Sequence, residues 1–395
     1  MFQSLYFMFF LVVLVFALGD ITGAATKGKL SGMMVTMLIF LVCFLTGVFP
    51  KDIIDQAGLT QIGNLAIGMV LFNMGTTINY KQLIREWKTV ALAALCMLAS
   101  CVMMLCVIPI VGKDAVLVGM PVINGAAMAT KLMTDAATER GLATAAALCA
   151  VIYSVQKFVG APIASAMGVK YAKKLVAQFR ADPEAARAAW AAKQNNVEAA
   201  TGKKPFYERH ASFFTANTNI AIAALGGFIG RWLGSITPIN YAIWALVLGC
   251  FSGIGGFIPP KPLQRSSSYG FMMIAVFGSI IPALGKVSLA DLGTMAFQTI
   301  VLFAAAVLGI FLLSYVLPAW KLVGDKDLAM GVGVEQFLGF PNNVVIAREV
   351  AQAVGETEEE KAYIEDTISV PYVVGGITVV TILSVTMAGI VINML

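Results

Sequence analysis

The length of its apolar runs limits this chain more than any other feature. The stretch WKTVALAALCMLASCVMMLCVIPIV, from Trp87 to Val111, carries one charge in 25 positions. A hydrocarbon layer about 30 Å thick is crossed by roughly 20 apolar residues of helix. Comparable runs fall at about 4–19, 32–49, 61–78, 88–111 and 142–168, then at 213–233, 239–257, 269–285, 292–318 and 367–394. Lipid offers the backbone no hydrogen-bond partners, so segments of this kind must be helices. The expectation is an all-α polytopic membrane protein. Composition agrees: 12% of the residues are charged, where a soluble domain averages about 25%. The first run, Ser4 to Gly19, has no Lys or Arg before it, and GDITGAATKGKL, which follows, is a poor cleavage site. It reads as the first transmembrane helix, not a signal peptide.

Two stretches break the pattern. In MPVINGAAMATKLMTD (Met120 to Asp135) and MGVGVEQFLGFPNNVVIARE (Met330 to Glu349), Asn, Gly, Pro and charges stand where a helix should continue. The breaks, at about 115–137 and 326–353, occupy matching places in the two halves. Gly125 falls opposite Gly339, Asp135 opposite Glu349, and VQKFVGAPI opposite SVPYVVGGI. Repeats of this kind mark many secondary transporters. If each break is a hairpin that leaves on the side it came from, each half crosses the membrane five times. The second half then starts on the opposite face. The expected layout is two inverted repeats, residues 1–168 and 213–395, each of five transmembrane helices and one re-entrant hairpin. A polar loop at 169–212 joins them.

That loop holds nine basic residues (Lys170, Lys173, Lys174, Arg180, Arg187, Lys193, Lys203, Lys204, Arg209) and four acids. The excess of Lys and Arg places it in the cytoplasm, with both termini outside. Most of the net charge of +5 lies there, so no nucleic-acid partner is needed to explain it. Its DPEAARAAWAAK segment reads as an Ala-rich amphipathic helix in a solvated linker.

A broken helix leaves free N–H groups at one half-helix and free carbonyls at the other. The first attract a carboxylate and the second can coordinate a cation such as Na⁺. Asn124, Gly125, Gly339, Asn342 and Asn343 are the candidate apex residues. A charge at mid-membrane costs about 2.5–3.5 kcal/mol on insertion scales, so it is paired or functional. Lys157 either binds a substrate carboxylate or pairs with Glu335. Lys131, six residues past the first apex, is a substrate ligand or snorkels outward. Arg348 is a ligand or a snorkelling residue at the rim. Glu335 is an ion ligand, and a proton carrier if coupling is to H⁺.

Other classes lack their parts. The single histidine, His210, lies in the polar loop, so a zinc site or Ser-His dyad cannot form in the membrane, and no enzyme is expected. A channel calls for rings of like charge or a symmetric filter, and neither is present. All six cysteines lie in apolar segments and read as packing, as do the glycines of GGFIG (Gly226 to Gly230) and GIGG (Gly253 to Gly256). No cofactor is called for.

The stretches VLFNMGTTINYKQLIREWK, ERGLATAAALCAVIYSVQKFVGAPIASAMGVKYAKKLV and GFPNNVVIAREVAQAVGETEEEKAYIEDTISVPYVVGGITVV resemble the bacterial sodium/glutamate symporter family. So does the layout of five crossings and one hairpin per half around a basic central loop. The resemblance implies an elevator-type, sodium-coupled carrier of a small carboxylate such as glutamate. It also implies a homodimer in the bacterial inner membrane, in which a domain holding both hairpins carries substrate past a dimerising scaffold. The apices INGAAMATK and GFPNN differ from the family's Gly-His-Gly-like and Gly-Ala-Thr-Pro-like apices. The related 2-hydroxycarboxylate carriers, which share the hairpin logic, are the alternative, with Na⁺ or H⁺ as coupling ion.

Overall fold

A computed structural model describes residues 4–25, 32–76, 80–188, 190, 205–237, 239–254, 256–286, 289–339 and 342–395. The described residues form helices and no strand. We label the main ones α1 (Leu5–Ala25), α2 (Gly32–Leu45), α3 (Leu59–Thr76), α4 (Trp87–Cys106), α5 (Lys113–Ile123), α6 (Ala127–Glu139) and α7 (Ala143–Ala181). In the second half they are α8 (Ala216–Ile236), α9 (Tyr241–Ile254), α10 (Tyr269–Gly278), α11 (Leu289–Phe311), α12 (Lys326–Val334), α13 (Asn342–Val354), α14 (Glu358–Ile377) and α15 (Ser384–Val391). Among the described residues, six helices are long and apolar enough to cross a membrane: α1, α4, α7, α8, α11 with its π-turn extension, and α14 running through α15. The apolar helices α2, α9 and α10 are shorter. The protein is thus an all-α chain with the helices of a membrane protein.

The helices gather into two groups. In the first, α3 packs against α8, α9 and α10, and α1 packs against α2. The second is built on α7, which touches α5, α6, α11, α12, α13 and α14, while α4 packs along α11. Small residues set the spacing in the first group, because lipid supplies no hydrophobic drive and close backbone approach replaces it. A methyl group at Gly75 would lie 2.2 Å from the Leu246 carbonyl oxygen, and one at Gly249 would lie 2.1 Å from that of Phe72. Gly226 and Gly230 face Phe72 and Ala245 in the same way, and Gly253 faces Thr76. These obstacles are mostly backbone and cannot swing aside. Gly75→Ala is therefore expected to cost about 1–3 kcal/mol. Gly270→Ala, where nothing lies within 4 Å, should cost nothing. Equilibrium unfolding in mixed micelles compares the two.

The long helix α7 departs from the expected boundary at 168: it continues to Ala181, through the first basic residues assigned to the linker. Two of these residues have partners. Lys174 reaches Asp325 and Asp327, each at 2.6 Å, and Arg180 reaches Glu360 at 2.7 Å and Glu356 at 3.1 Å. Beyond α7, Arg187 pairs with Glu359 at 2.6 Å, while Trp190 donates to Asp366 at 3.1 Å. The expected solvated linker is thus, in its first part, a segment docked on α14. Residues 191–204 lie outside the described residues.

The ends of α5, α6, α12 and α13 sort themselves along α7. Residues Val111–Ala115 and Gly141–Ala145 line one cavity, so the α5–α6 pair returns to the end of α7 that it left. At the other end, Asp325 just before α12 is held by Lys174, and Glu356 just after α13 by Arg180. Ala143 and Lys174 stand roughly 45 Å apart along the helix. The two broken pairs thus start from opposite ends of α7 and run toward its middle.

Candidate functional site

The two breaks reach neighbouring turns of α7. The Gln156 side chain on α7 donates to the Gly125 carbonyl at 3.3 Å. One turn further along, Gly160 faces the second break: a methyl group there would lie 2.9 Å from Phe337 Cβ and 3.0 Å from Leu338 Cγ. The far wall repeats the arrangement. Gly125 abuts Ser384 and Gly339 abuts Val380, again one turn apart. The first of these residues, Ser384, directly follows the π turn at Thr378–Leu383 that joins α14 to α15, and Val380 lies within it. Inserted π turns concentrate at functional sites.

Sequence dictates why helices stop here. α5 ends after Pro121; the Asn124 side chain then donates back to the Met120 carbonyl at 2.8 Å. Ala126 is extended and α6 opens with no side-chain cap, so its first N–H groups point at the apex unclaimed by a side chain. In the second break α12 tightens into a 3₁₀ turn at Glu335–Phe337, and Gly339 takes a φ of +67°. A left-handed backbone costs a non-glycine residue roughly 1–2 kcal/mol. α13 resumes at Asn342, whose side chain donates to the Leu338 carbonyl at 3.3 Å. Asn343, fully buried, donates to the Tyr372 carbonyl at 3.4 Å.

Several polar atoms in these turns lack partners among the described residues. They are Asn124 Oδ1, Gln156 Oε1, both carboxyl oxygens of Glu335 and both amide atoms of Gln336. Buried polar groups are nearly always hydrogen-bonded, and leaving one unmet costs about 1–3 kcal/mol. These six atoms lie at the two breaks and on the neighbouring turn of α7; others, Asn73 Nδ2 and Thr299 Oγ1 among them, lie elsewhere. Among the described residues no group of three or more His, Cys, Asp and Glu could hold a metal ion.

The charged candidates divide. Lys131 does not snorkel outward. It is buried, pairs with Asp135 one turn on, and donates to Asn64 of α3 at 3.3 Å. The same Asn64 accepts from Arg231 through its backbone carbonyl at 2.8 Å, so Lys131 belongs to a polar seam between the two helix groups. Arg348 is exposed and pairs with Glu365 at 3.2 Å, away from both apices. Lys157 and Glu335 do not pair. Tyr153, one turn before Lys157, stacks on Phe277 of α10 at 5.8 Å, so Lys157 points toward the first group, whereas Glu335 faces Gly376 of α14. Lys157 makes no hydrogen bond or ion pair among the described residues. It is a half-buried cation one residue past Gln156.

Sequence reasoning missed Gln156, Gln336 and the π turn. A glutamine inside an apolar helix was the available signal for the first. Neither a protein-family model nor a curated protein matches this chain.

Proposed function

We propose that this protein is a secondary active carrier, an elevator-type symporter of a small carboxylate such as glutamate, driven by Na⁺. The observation that carries this reading is the convergence of two helix breaks, started from opposite ends of α7, on one level of that helix. On this reading the chain is two inverted repeats with ten crossings and two re-entrant hairpins, α5–α6 and α12–α13. The α6 and α13 N-termini at the apices favour a carboxylate, and the carbonyls closing α5 and α12 favour a cation. Asn124, Gln156 and Asn343 supply the amides around it, and Lys157, without an ion pair among the described residues, is a cation offered to the substrate. The group holding both hairpins would move as a unit past the group built on α3, α8 and α9, in a homodimer of the bacterial inner membrane with both termini outside.

The test is uptake into proteoliposomes of labelled glutamate, aspartate, malate, citrate and 2-ketoacids, with and without an inward Na⁺ gradient. Saturable accumulation of glutamate, raised at least about tenfold by the gradient (about 1.4 kcal/mol), is the expected result. Accumulation of malate or citrate instead would move the protein to the 2-hydroxycarboxylate carriers. Uptake of none of these acids would sink the substrate class.

A further inference from the structure

The sequence offers Glu335 as an ion ligand, or a proton carrier under H⁺ coupling, and the Na⁺-driven reading above leaves its carboxyl group unused. It is fully buried, and neither of its oxygens has a hydrogen-bond partner among the described residues. The turn that carries it packs against α7, α12, α14 and the π turn. From α14, Gly376 lies under its Cβ and Tyr372 is the ionisable neighbour, its hydroxyl donating to the Ala164 carbonyl at 3.0 Å. From α7, Gly160 meets Phe337 and Leu338 of the turn, Ala164 accepts from Tyr372, and Lys157 forms no pair with the acid. The π turn brings Thr378, Val379 and Val380, none of them ionisable. α12 offers Gly333, which abuts Cys96 of α4, while its Asp327 lies far along the helix on Lys174 and Tyr315. Asn343 of α13 presents its amide nitrogen, not its oxygen, toward Gly376.

An anion so placed would stand in low dielectric without counter-charge, at a cost of several kcal/mol. Among the described residues no group of three or more His, Cys, Asp and Glu stands there to share a metal ion with it. A proton removes the charge and needs no further ligand.

We propose that Glu335 is a proton-binding site at the elbow of the second hairpin, loaded from water on one side of the membrane and unloaded on the other. Its use as a coupling site rests on the carrier reading. The proton adds to a carboxylate oxygen and returns to water, with no other bond made or broken.

Infrared spectroscopy of the purified protein in liposomes tests the site without substrate. At pH 7 the wild type should show a protonated-acid C=O band that is missing from Glu335→Gln, whose neutral amide matches the acid in size. A difference spectrum showing an ionised carboxylate at Glu335 would overturn the proposal. Uptake tests the coupling. An outside-acid pH gradient should raise carboxylate accumulation several-fold in the wild type and in Glu335→Asp, but not in Glu335→Gln. An equal response in Glu335→Gln would refute it. If the acid band is present and no carboxylate is moved under any gradient, the proton site stands and the carrier reading falls.

Discussion

Replacing Asn124 or Asn343 by alanine is expected to lower carboxylate uptake by about 100-fold while the protein still folds. The size follows from the role. A hydrogen bond to a charged ligand is worth about 1.5–3 kcal/mol, and each 1.4 kcal/mol is a factor of ten. Asn124 and Asn343 are both fully buried, and the Oδ1 of Asn124 is unmatched among the described residues. Within the chain the Asn124 amide donates to the Met120 carbonyl and, at 3.6 Å, to Cys101 Sγ, while Asn343 donates to the Tyr372 carbonyl, so truncation should cost the fold about 1–2 kcal/mol.

Asn73 provides the comparison. It is also buried, but its oxygen accepts the Leu263 backbone N–H at 3.0 Å, in the first helix group. Asn73→Ala should therefore lower stability with a proportionate loss of transport. Purified variants would be compared for initial uptake rate and for unfolding midpoint. Wild-type uptake in Asn124→Ala and Asn343→Ala would remove the site from the apices.

The helix breaks were legible because their causes are local. Gly125 and Asn124 stop α5, and Gly339 sets the turn after α12. Apolar run length marked most of the helices for a similar reason. What escaped depends on partners distant in the chain. Lys174 and Arg180 read as loop charges because the acids that hold them inside a helical register lie at Asp325, Asp327 and Glu360. With those pairs made, α7 runs on to Ala181. Lys131 was half legible: Asp135 sits four residues on, the spacing at which helix side chains meet, but Asn64 comes from another helix. The π turn at Thr378–Leu383 leaves no mark in GITVVTILS, since an extra residue per turn needs no special side chain. Gln156 and Gln336 are ordinary letters until burial shows that the oxygen of the first and the whole amide of the second have no partner among the described residues.

Asp135→Asn is expected to cause the largest loss of stability among single changes in the polar seam, about 3 kcal/mol. It would leave Lys131, whose side chain is 3% exposed, without its counter-ion. Breaking a buried pair from one side typically costs about 3–5 kcal/mol because the surviving charge remains buried. The low end applies because the Asp135 side chain is 36% exposed, so water screens part of the loss. Removing both charges tells the pair's net worth from the cost of stranding one partner. Lys131→Met with Asp135→Leu deletes the ions and keeps most of the volume, so it should recover to within about 1 kcal/mol of the wild type. Equilibrium unfolding of the single and double variants closes the cycle. A strongly non-additive result, with the double variant more stable than Asp135→Asn, would fix Lys131 as part of the seam between the helix groups. Additive losses, or a harmless Asp135→Asn, would return Lys131 to the list of substrate ligands. If the seam must slide for substrate to cross, the double variant should change the transport rate while leaving the apparent affinity in place, because neither residue lies at the apices.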